Sequence, residues 1–596
     1  MARYAFDIET NGLLDTLDRI HCIALTDLDR PVEMVELYHG EDITIALGML
    51  EIADEVVGQN IIDFDIPAIQ KVYPGWAPQG KVTDTLIISR LVYPHLKNRD
   101  FERKPPTLPQ RLYGSHGLEA WGHRLGKHKG DYAAEMKAAG LDPWAAYNER
   151  MGAYCELDVE VTSLLYRTLM RSGWSQRSID LEHEVHYICN RQMAHGCSFD
   201  EKAAMSLYAE LAARRHEIET RLREVFGNWW VTEPYTPKVS NRKVGYVKGA
   251  PMTKITLIEF NPASRDHIAK RLKDLRGWSP SKFTPSGKPE VDESTLEGLP
   301  YPEVPLLLEY LMLQKRIGQI AEGKEAWLKL VKEDGRIYGR IKPNAAITGR
   351  ATHHKPNLAQ VPAVRSPYGK ECRGFFRATP GKVMVGADAS GLELRLFAHY
   401  LSHYDNGEYA RTVLEGDIHT ANQQAAGLPT RDDAKTFIYA LLYGAGDGKL
   451  GTIIGRGPRA GRGLRARFMD AIPAYASLVK GVKAAAKKKR RIRALDGRYL
   501  WVRSEHAALN TLLQGAGAII MKQAMVNYHR ILEEKGIPFD QVFWVHDEFQ
   551  VECAAEYADA VGEAMVEGIR MTTQQFNLGC PLDGEYKVGS TWAETH

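Results

Sequence analysis

"RDDAKTFIYALLYGAG" occupies residues 431–446. Arg431, Lys435, Tyr439 and Tyr443 recur every four residues, so the spacing predicts a helix carrying them on one slowly drifting face, with Gly444 and Gly446 closing it. An ordinary amphipathic helix supplies one such pair. Two cations followed by two aromatics fit a nucleoside triphosphate laid along the helix, its phosphates at Arg431 and Lys435 and its sugar and base near the tyrosines.

Acidic segments flank this stretch. "GKVMVGADASGLELRLFAHYL" (381–401) reads as an apolar strand ending at Asp388 and a helix begun at Ser390. "FWVHDEFQVEC" (543–553) reads as strand, turn, strand, with His546, Asp547 and Glu548 at the turn. Asp at a turn is ordinary. Together the two segments offer two carboxylates that a folded sheet could bring side by side. Ser390-Gly-Leu-Glu393 also fits a capping box, in which Glu393 would satisfy a helix N-terminus.

A third group of acids lies far upstream. In "AFDIETNG" (5–12) strand alternation puts Asp7 and Glu9 on one face and Phe6 and Ile8 on the other. A solvated face is the commoner reading of such a pair, and a cation between the carboxylates is the alternative. Asp65, in "GQNIIDFDIPAI" (58–69), sits in a loop leading into a helix and could be its cap. In "YCELDVEVT" (154–162), Tyr154 and Asp158 are four apart and share a helix face, where Asp158 could be a plain surface acid.

The whole chain sets bounds. At 596 residues it exceeds a single core, and about four domains of ordinary size are expected. Hydrophobic residues at 44% and charged residues at 26% are globular values. Lys+Arg is 77 against Asp+Glu 75, a net charge of +2, so any basic surface must be local. One candidate is "AAKKKRRIRALDGR" (485–498), which reads as a nucleic-acid contact or a solvated loop. Seven cysteines without a C-x-x-C pair fit a reducing compartment rather than a zinc ribbon or disulfide framework. A strand beginning near Tyr4 leaves no room for a signal peptide, and no apolar run approaches the roughly 18 residues of a membrane span. A cytosolic protein with no membrane contact is expected. The pattern is α/β to about residue 172, then strongly helical from 173 to 335, with a poorly periodic Pro/Lys-rich piece at 232–254. Strands return beyond 336 around a helical middle.

Taken in order, Asp-x-Glu on a first strand, a mid-domain Asp and Tyr-x-x-x-Asp on a late helix resemble the DEDDy class of 3′→5′ exonucleases. "DASGLELR", "RDDAKTFIYALLYG" and "VHDE" resemble the three polymerase motifs of DNA polymerase I-type (family A) enzymes. "GDIHTAN" (416–422), "TGRATH" (348–353), "PNLAQVP" (356–362), "RSPYG" (365–369) and "HAALNTLLQGAGA" (506–518) are similar to the replicative polymerases of short-tailed phages of the T-seven type. The resemblance runs from residue 3 nearly to the end.

It implies an α/β multidomain fold: an RNase H-like exonuclease domain (1–172) and a right-hand polymerase. The polymerase would comprise a thumb (173–335), palm (336–400 and 510–596) and fingers (401–509). It also implies template-directed DNA synthesis with proofreading. Asp388 and Asp547, with the Ala389 carbonyl, would hold two Mg²⁺ ions; Asp7, Glu9, Asp65 and Asp158 would hold two more, with Mn²⁺ a possible substitute. Oxygen ligands suit such ions, and a metal pair can stabilise both the attacking and leaving oxygens of a phosphodiester. Tyr154 would orient the attacking water. Arg431, Lys435 and His419 would contact phosphates, and Tyr443 would pack beside the template-side base. Arg350, Asn510, Gln514 and His546 would touch the primer–template duplex. Glu393 would crowd the sugar 2′ position, and the Tyr439 hydroxyl would stand in for a missing 3′-hydroxyl; core packing is the plain alternative for Tyr439.

The T-seven-type enzymes carry a long thumb insertion that captures host thioredoxin. Here only the segment 228–258 stands in its place, so thioredoxin dependence is not expected. Expected partners are primer–template DNA, dNTPs and a phage helicase-primase, with the chain itself a monomer. Two other classes compete. A single-subunit RNA polymerase shares the palm acids but lacks the exonuclease acids, and a non-catalytic DNA-binding scaffold would have lost its carboxylates.

Overall fold

The computed structural model describes residues 2–596 apart from Val32, Glu33, His128, Lys129, Asp131 and Ser172. Ser172, the expected end of the first domain, therefore lies outside the described residues. The chain forms two compact units: Met1–Gly196 with Gly339–Gln360 and Ala378–His596, and Cys197–Tyr338 with Val361–Arg377.

The first unit begins with a five-stranded sheet in the order Glu36–His39, Ile20–Asp27, Arg3–Thr10, Glu55–Gly58, Lys81–Asp84. Its first three strands are antiparallel and the last two join in parallel, reached through helix crossovers. Alternation along Arg3–Thr10 works as the sequence implies. Phe6 and Ile8 enter one core with Ile23, Leu25, Val56 and Ile66. Ala5 enters another with Cys22, Ala24, Val57, Cys155 and Val159. Small residues on this second face let helix Glu149–Met170 lie close to the strand.

The same unit contains a four-stranded antiparallel sheet in the order Asp540–Val545, Glu548–Cys553, Val383–Ala389, Gly584–Gly589. Helix Ala558–Gln575 packs on it, and close approach depends on glycine: a Cβ at Gly562 would fall 2.2 Å from the Tyr586 ring. Helix Ala508–Glu534 packs in turn on Ala558–Gln575. A helical body, including Leu392–Asp405, Ile418–Ala426, Arg431–Leu442, Pro458–Ala471 and Pro473–Lys489, shares one continuous core with the sheet. Phe397, Phe437 and Phe468 on the helical side and Trp544 and Phe549 on the sheet side belong to that core.

Helix Gln176–His195, placed by the sequence reading at the start of the thumb, is in this first unit, packed against Ala508–Glu534 and Asp540–Val545. A buried ion network accounts for its attachment. Glu182 accepts from Lys522 Nζ at 2.5 Å and from Arg498, and Arg498 Nε donates to Asp496 at 2.7 Å, with all four side chains almost solvent-free.

The second unit pairs helix Glu201–Phe226 with Val304–Ile317 and carries a small sheet of Phe376–Arg377, Cys197–Phe199 and Arg336–Ile337. The piece at 232–254 is regular only at its ends: Trp229–Tyr235 and Met252–Ile258 pair as an antiparallel hairpin from Trp229↔Ile258 to Tyr235↔Met252, and 236–251 between them is turns with one Asn241–Tyr246 bridge. Pro234 and the lysines disguised its alternation, because proline within a run reads against a strand. All seven cysteines are free and buried. Among the described residues, no helix is long and apolar enough to cross a membrane.

Candidate active sites

Helix Arg431–Leu442 forms where the four-residue spacing predicts it, capped by Thr430, whose hydroxyl accepts from Asp433 N. Tyr443 follows as its C-cap, and Gly444 (φ +78°) takes the left-handed turn that ends it. The stripe runs toward the acids of the four-stranded sheet. Strand Val383–Ala389 sets Asp388 directly opposite Glu548, and the Ala389 amide donates to the Asp547 carbonyl at 3.1 Å. The connecting turn is left-handed at His546 (φ +58°).

Partial burial together with Asp547 and Glu548 pushes Asp388 up to about 7; burial and Glu393 push Asp547 up to about 6. Buried carboxylates whose pKa is raised by neighbouring acids fit a divalent cation, which would relieve the repulsion. Glu548, which sequence reasoning left out of the site, is buried and fixed by Trp592 Nε1, by Gln550 Nε2 at 2.7 Å and by His596 Nδ1 at 3.0 Å.

A small pocket beside Asp547 is lined by Arg350, Glu393 and His546. Glu393 accepts from the Tyr443 hydroxyl at 2.8 Å and lies 3.6 Å from Arg350 Nη2. The capping-box expectation does not hold. Helix Leu392–Asp405 is capped by Gly391 (φ +59°) without a side-chain bond, and the Ser390 amide donates to Asp583 O instead. Tyr439 is half-buried, and its phenol is raised by burial, then by the charges of Glu393 and Asp547. At the cationic end, Arg431 Nε donates to Asp417 at 2.8 Å. Burial and then the charges of Arg431 and Lys435 lower the His419 pKa. On helix Ala508–Glu534, Asn510 lies next to Gly444 and Gln514 follows one turn later; Asn510 Oδ1 is buried without a hydrogen-bond partner among the described residues.

The N-terminal acids form a second cluster. Ligand atoms of Asp7, Glu9 and Cys155 all lie within 4.8 Å of one another. Cys155 Sγ donates to Asp7 O at 3.4 Å, and burial holds its pKa well above the usual value, so it is a thiol and not an anionic ligand. Asp65 is buried at the first position of helix Asp65–Val72 and caps nothing; its carboxylate accepts from the Ile8 amide at 3.3 Å. Burial, then Asp84 and Asp158, raise its pKa. Asp158 and Tyr154 share a face of helix Glu149–Met170, and the Tyr154 ring lies 5.6 Å from that of Tyr132.

Asp84 was missed. It is 1% exposed and accepts from the amides of Asn60 (2.9 Å), Ile62 (3.3 Å) and Leu86 (2.8 Å), so it moulds the loop that delivers Asp65. The signal was present as an Asp-Thr helix start at 84–85, which reads as a cap and nothing more.

An antiparallel sheet presenting acids beside a helix of cations and tyrosines, in a chain that also carries a separate sheet with its own carboxylates, defines a nucleotide polymerase with an appended acidic-site domain. The chain belongs to DNA polymerase family A, whose model matches residues 246–594. It is 40% identical to the DNA-directed DNA polymerase of Escherichia phage T7, over 99% of this chain and 99% of that protein. The Enterobacteria phage T3 enzyme gives the same identity and coverage. The T7 alignment runs over 707 positions against 596 residues here, so parts of that relative have no counterpart in this chain. In fold, the chain is similar to the POL domain of Pol1 from M. smegmatis, solved with DNA primer-template and dNTP. That similarity has a TM-score of 0.74 at 18% identity, over 99% of this chain and 96% of the other.

Proposed function

We infer that this chain is a phage replicative DNA polymerase that adds dNTPs to a primer 3′ end under template direction and removes mispaired ends with a 3′→5′ exonuclease. The observation that carries this reading is the convergence of Asp388, Asp547, Glu393, Tyr439 and Tyr443 from three distant segments.

Asp388 and Asp547, with the Ala389 carbonyl, would hold a pair of Mg²⁺ ions, for which Mn²⁺ could substitute. Such a pair supplies activation of the primer 3′-hydroxyl and neutralises the triphosphate. Arg431, Lys435 and His419 bind the phosphates, and Arg431 must exchange its bond to Asp417 for one to the nucleotide. Tyr439 and Tyr443 flank sugar and base, and Tyr443 holds Glu393 where the sugar 2′ carbon passes. Arg350, Asn510, Gln514 and His546 orient the primer–template. In the N-terminal cluster Asp7, Glu9, Asp65 and Asp158 would hold the second Mg²⁺ pair, and Tyr154 orients the water that attacks the terminal phosphodiester.

We assign residues 1–172 to the exonuclease domain, 173–335 to the thumb, with its first helix Gln176–His195 anchored on palm elements, 336–400 and 510–596 to the palm and 401–509 to the fingers. The hairpin Trp229–Tyr235/Met252–Ile258 and its basic loop are too short for a thioredoxin-binding module, so the enzyme works without thioredoxin, as a monomer in the host cytoplasm. A phage helicase-primase is its proposed replisome partner. Primer extension tests the reading: dNTPs with Mg²⁺ are expected to give full-length product and rNTPs little. Efficient extension with rNTPs would point to an RNA polymerase, and none with either to a scaffold.

A further inference from the structure

A basic cavity of the first unit shares no lining residue with either acid cluster. It has a volume of about 330 Å³, and four arginines line it: Arg99 and Arg103 from the N-terminal region, Arg490 and Arg503 from the far end of the chain. One carboxylate, Glu102, shares the cavity and lies 3.3 Å from Arg490 Nη1, which leaves three guanidinium charges over. The wall between them is aromatic. The His95 and Trp501 rings lie 3.5 Å apart between centroids, and Arg99 sits 4.9 Å over the Tyr93 ring. His95 Nδ1 and Trp501 Nε1 are both buried with no hydrogen-bond partner among the described residues. Two orphaned polar nitrogens at one contact are costly unless something external completes them. His95 is held neutral at ordinary pH, since burial and then Arg99 pull it down to about 4.

We propose that this cavity binds an unpaired DNA strand, its phosphates on Arg99, Arg103 and Arg503 and a base against the Trp501–His95 wall. Charge alone would fit any polyanion. The aromatic wall decides between them, because only an unpaired nucleotide exposes a base face to stack, while a duplex hides its bases and an acidic peptide has none. Two strands of a replicating polymerase are unpaired: the template ahead of the primer end, and a mispaired primer tail. Both present the same chemistry.

The test is fluorescence anisotropy of the full chain in EDTA, which halts degradation, with three labelled duplexes: no tail, a 5′ template tail, and an unpaired 3′ primer tail. Trp501→Ala is expected to weaken binding of a tailed duplex about tenfold, and Trp501→Phe to restore most of it. Arg99→Glu with Arg503→Glu is expected to reduce the slope of log affinity against log salt by about 1.4, at roughly 0.7 per single-strand phosphate. The untailed duplex is expected to bind all variants as it binds the wild type. Loss confined to the template tail assigns the site to the template, and loss confined to the primer tail assigns it to the strand being edited. Equal loss on tailed and untailed DNA, no loss on either tail, or displacement by poly-glutamate with no contribution from a tail would overturn the proposal.

Discussion

The Tyr443 hydroxyl donates to Glu393 Oε1 at 2.8 Å, joining the last residue of the cation–tyrosine stripe to an acid that follows the Asp388 strand. Glu393 is thereby held beside Asp547 and Tyr439 instead of serving its own helix end. Glu393→Ala is expected to raise rNTP use relative to dNTP by roughly 10- to 200-fold, the range for one steric contact in a binding pocket. Tyr443→Phe, which frees Glu393 without removing it, should give a smaller change in the same direction. Single-nucleotide incorporation kinetics give the ratio.

Tyr439→Phe removes a hydroxyl that feels the charges of Glu393 and Asp547 while keeping the ring in its half-buried place. If that hydroxyl replaces a missing sugar 3′-oxygen, the variant uses dideoxynucleotides less well and dNTPs almost normally. Equal terminator use by both proteins would leave only a packing role.

Asp388 and Asp547 are raised to about 7 and about 6 without a cation. A carboxyl with a raised folded pKa binds more protons folded than unfolded between pH 4 and 7, so metal-free stability falls as pH rises through that window. Asp388→Asn is therefore expected to raise the Tm of the metal-free protein at pH 8, with a smaller gain at pH 5, while cutting dNTP addition at least about a hundredfold. Thermal scans in EDTA at the two pH values decide it.

Asp84→Ala should lower exonuclease activity without touching a reacting atom, because two loop amides, Asn60 and Ile62, and the helix amide of Leu86 lose their acceptor. The cost of buried unsatisfied donors is about 1–3 kcal/mol each, set against loop relaxation. Primer extension by this variant should match wild type.

Glu182→Gln leaves Lys522 and Arg498 buried with less countercharge. Breaking such a network costs about 3–5 kcal/mol, to be read from urea unfolding. Its polymerase site is untouched, so residual activity at low temperature is expected.

Much of this architecture was legible because it is written in local spacing. The stripe at 431–443 needs only the helix period, and the Asp7–Glu9 face needs only strand alternation. What escaped depends on backbone turns and distant partners. Glu393 looked like a cap until Gly391 took a left-handed conformation, and Asp65 looked like one until its carboxylate was found on the Ile8 amide. Asp84 matters through a loop 22 to 24 residues upstream. The Glu182–Lys522 bond spans 340 positions, which no periodicity reports.

We propose that two separate acid clusters perform two reactions on the same substrate. The deciding assay is a labelled primer–template with a mispaired 3′ end, incubated with Mg²⁺, first without and then with dNTPs. Asp7→Ala with Glu9→Ala should abolish shortening of the primer and still extend a matched end, and Asp547→Asn should shorten it and never extend. Loss of both activities in either variant, with the fold intact by circular dichroism, would contradict the account.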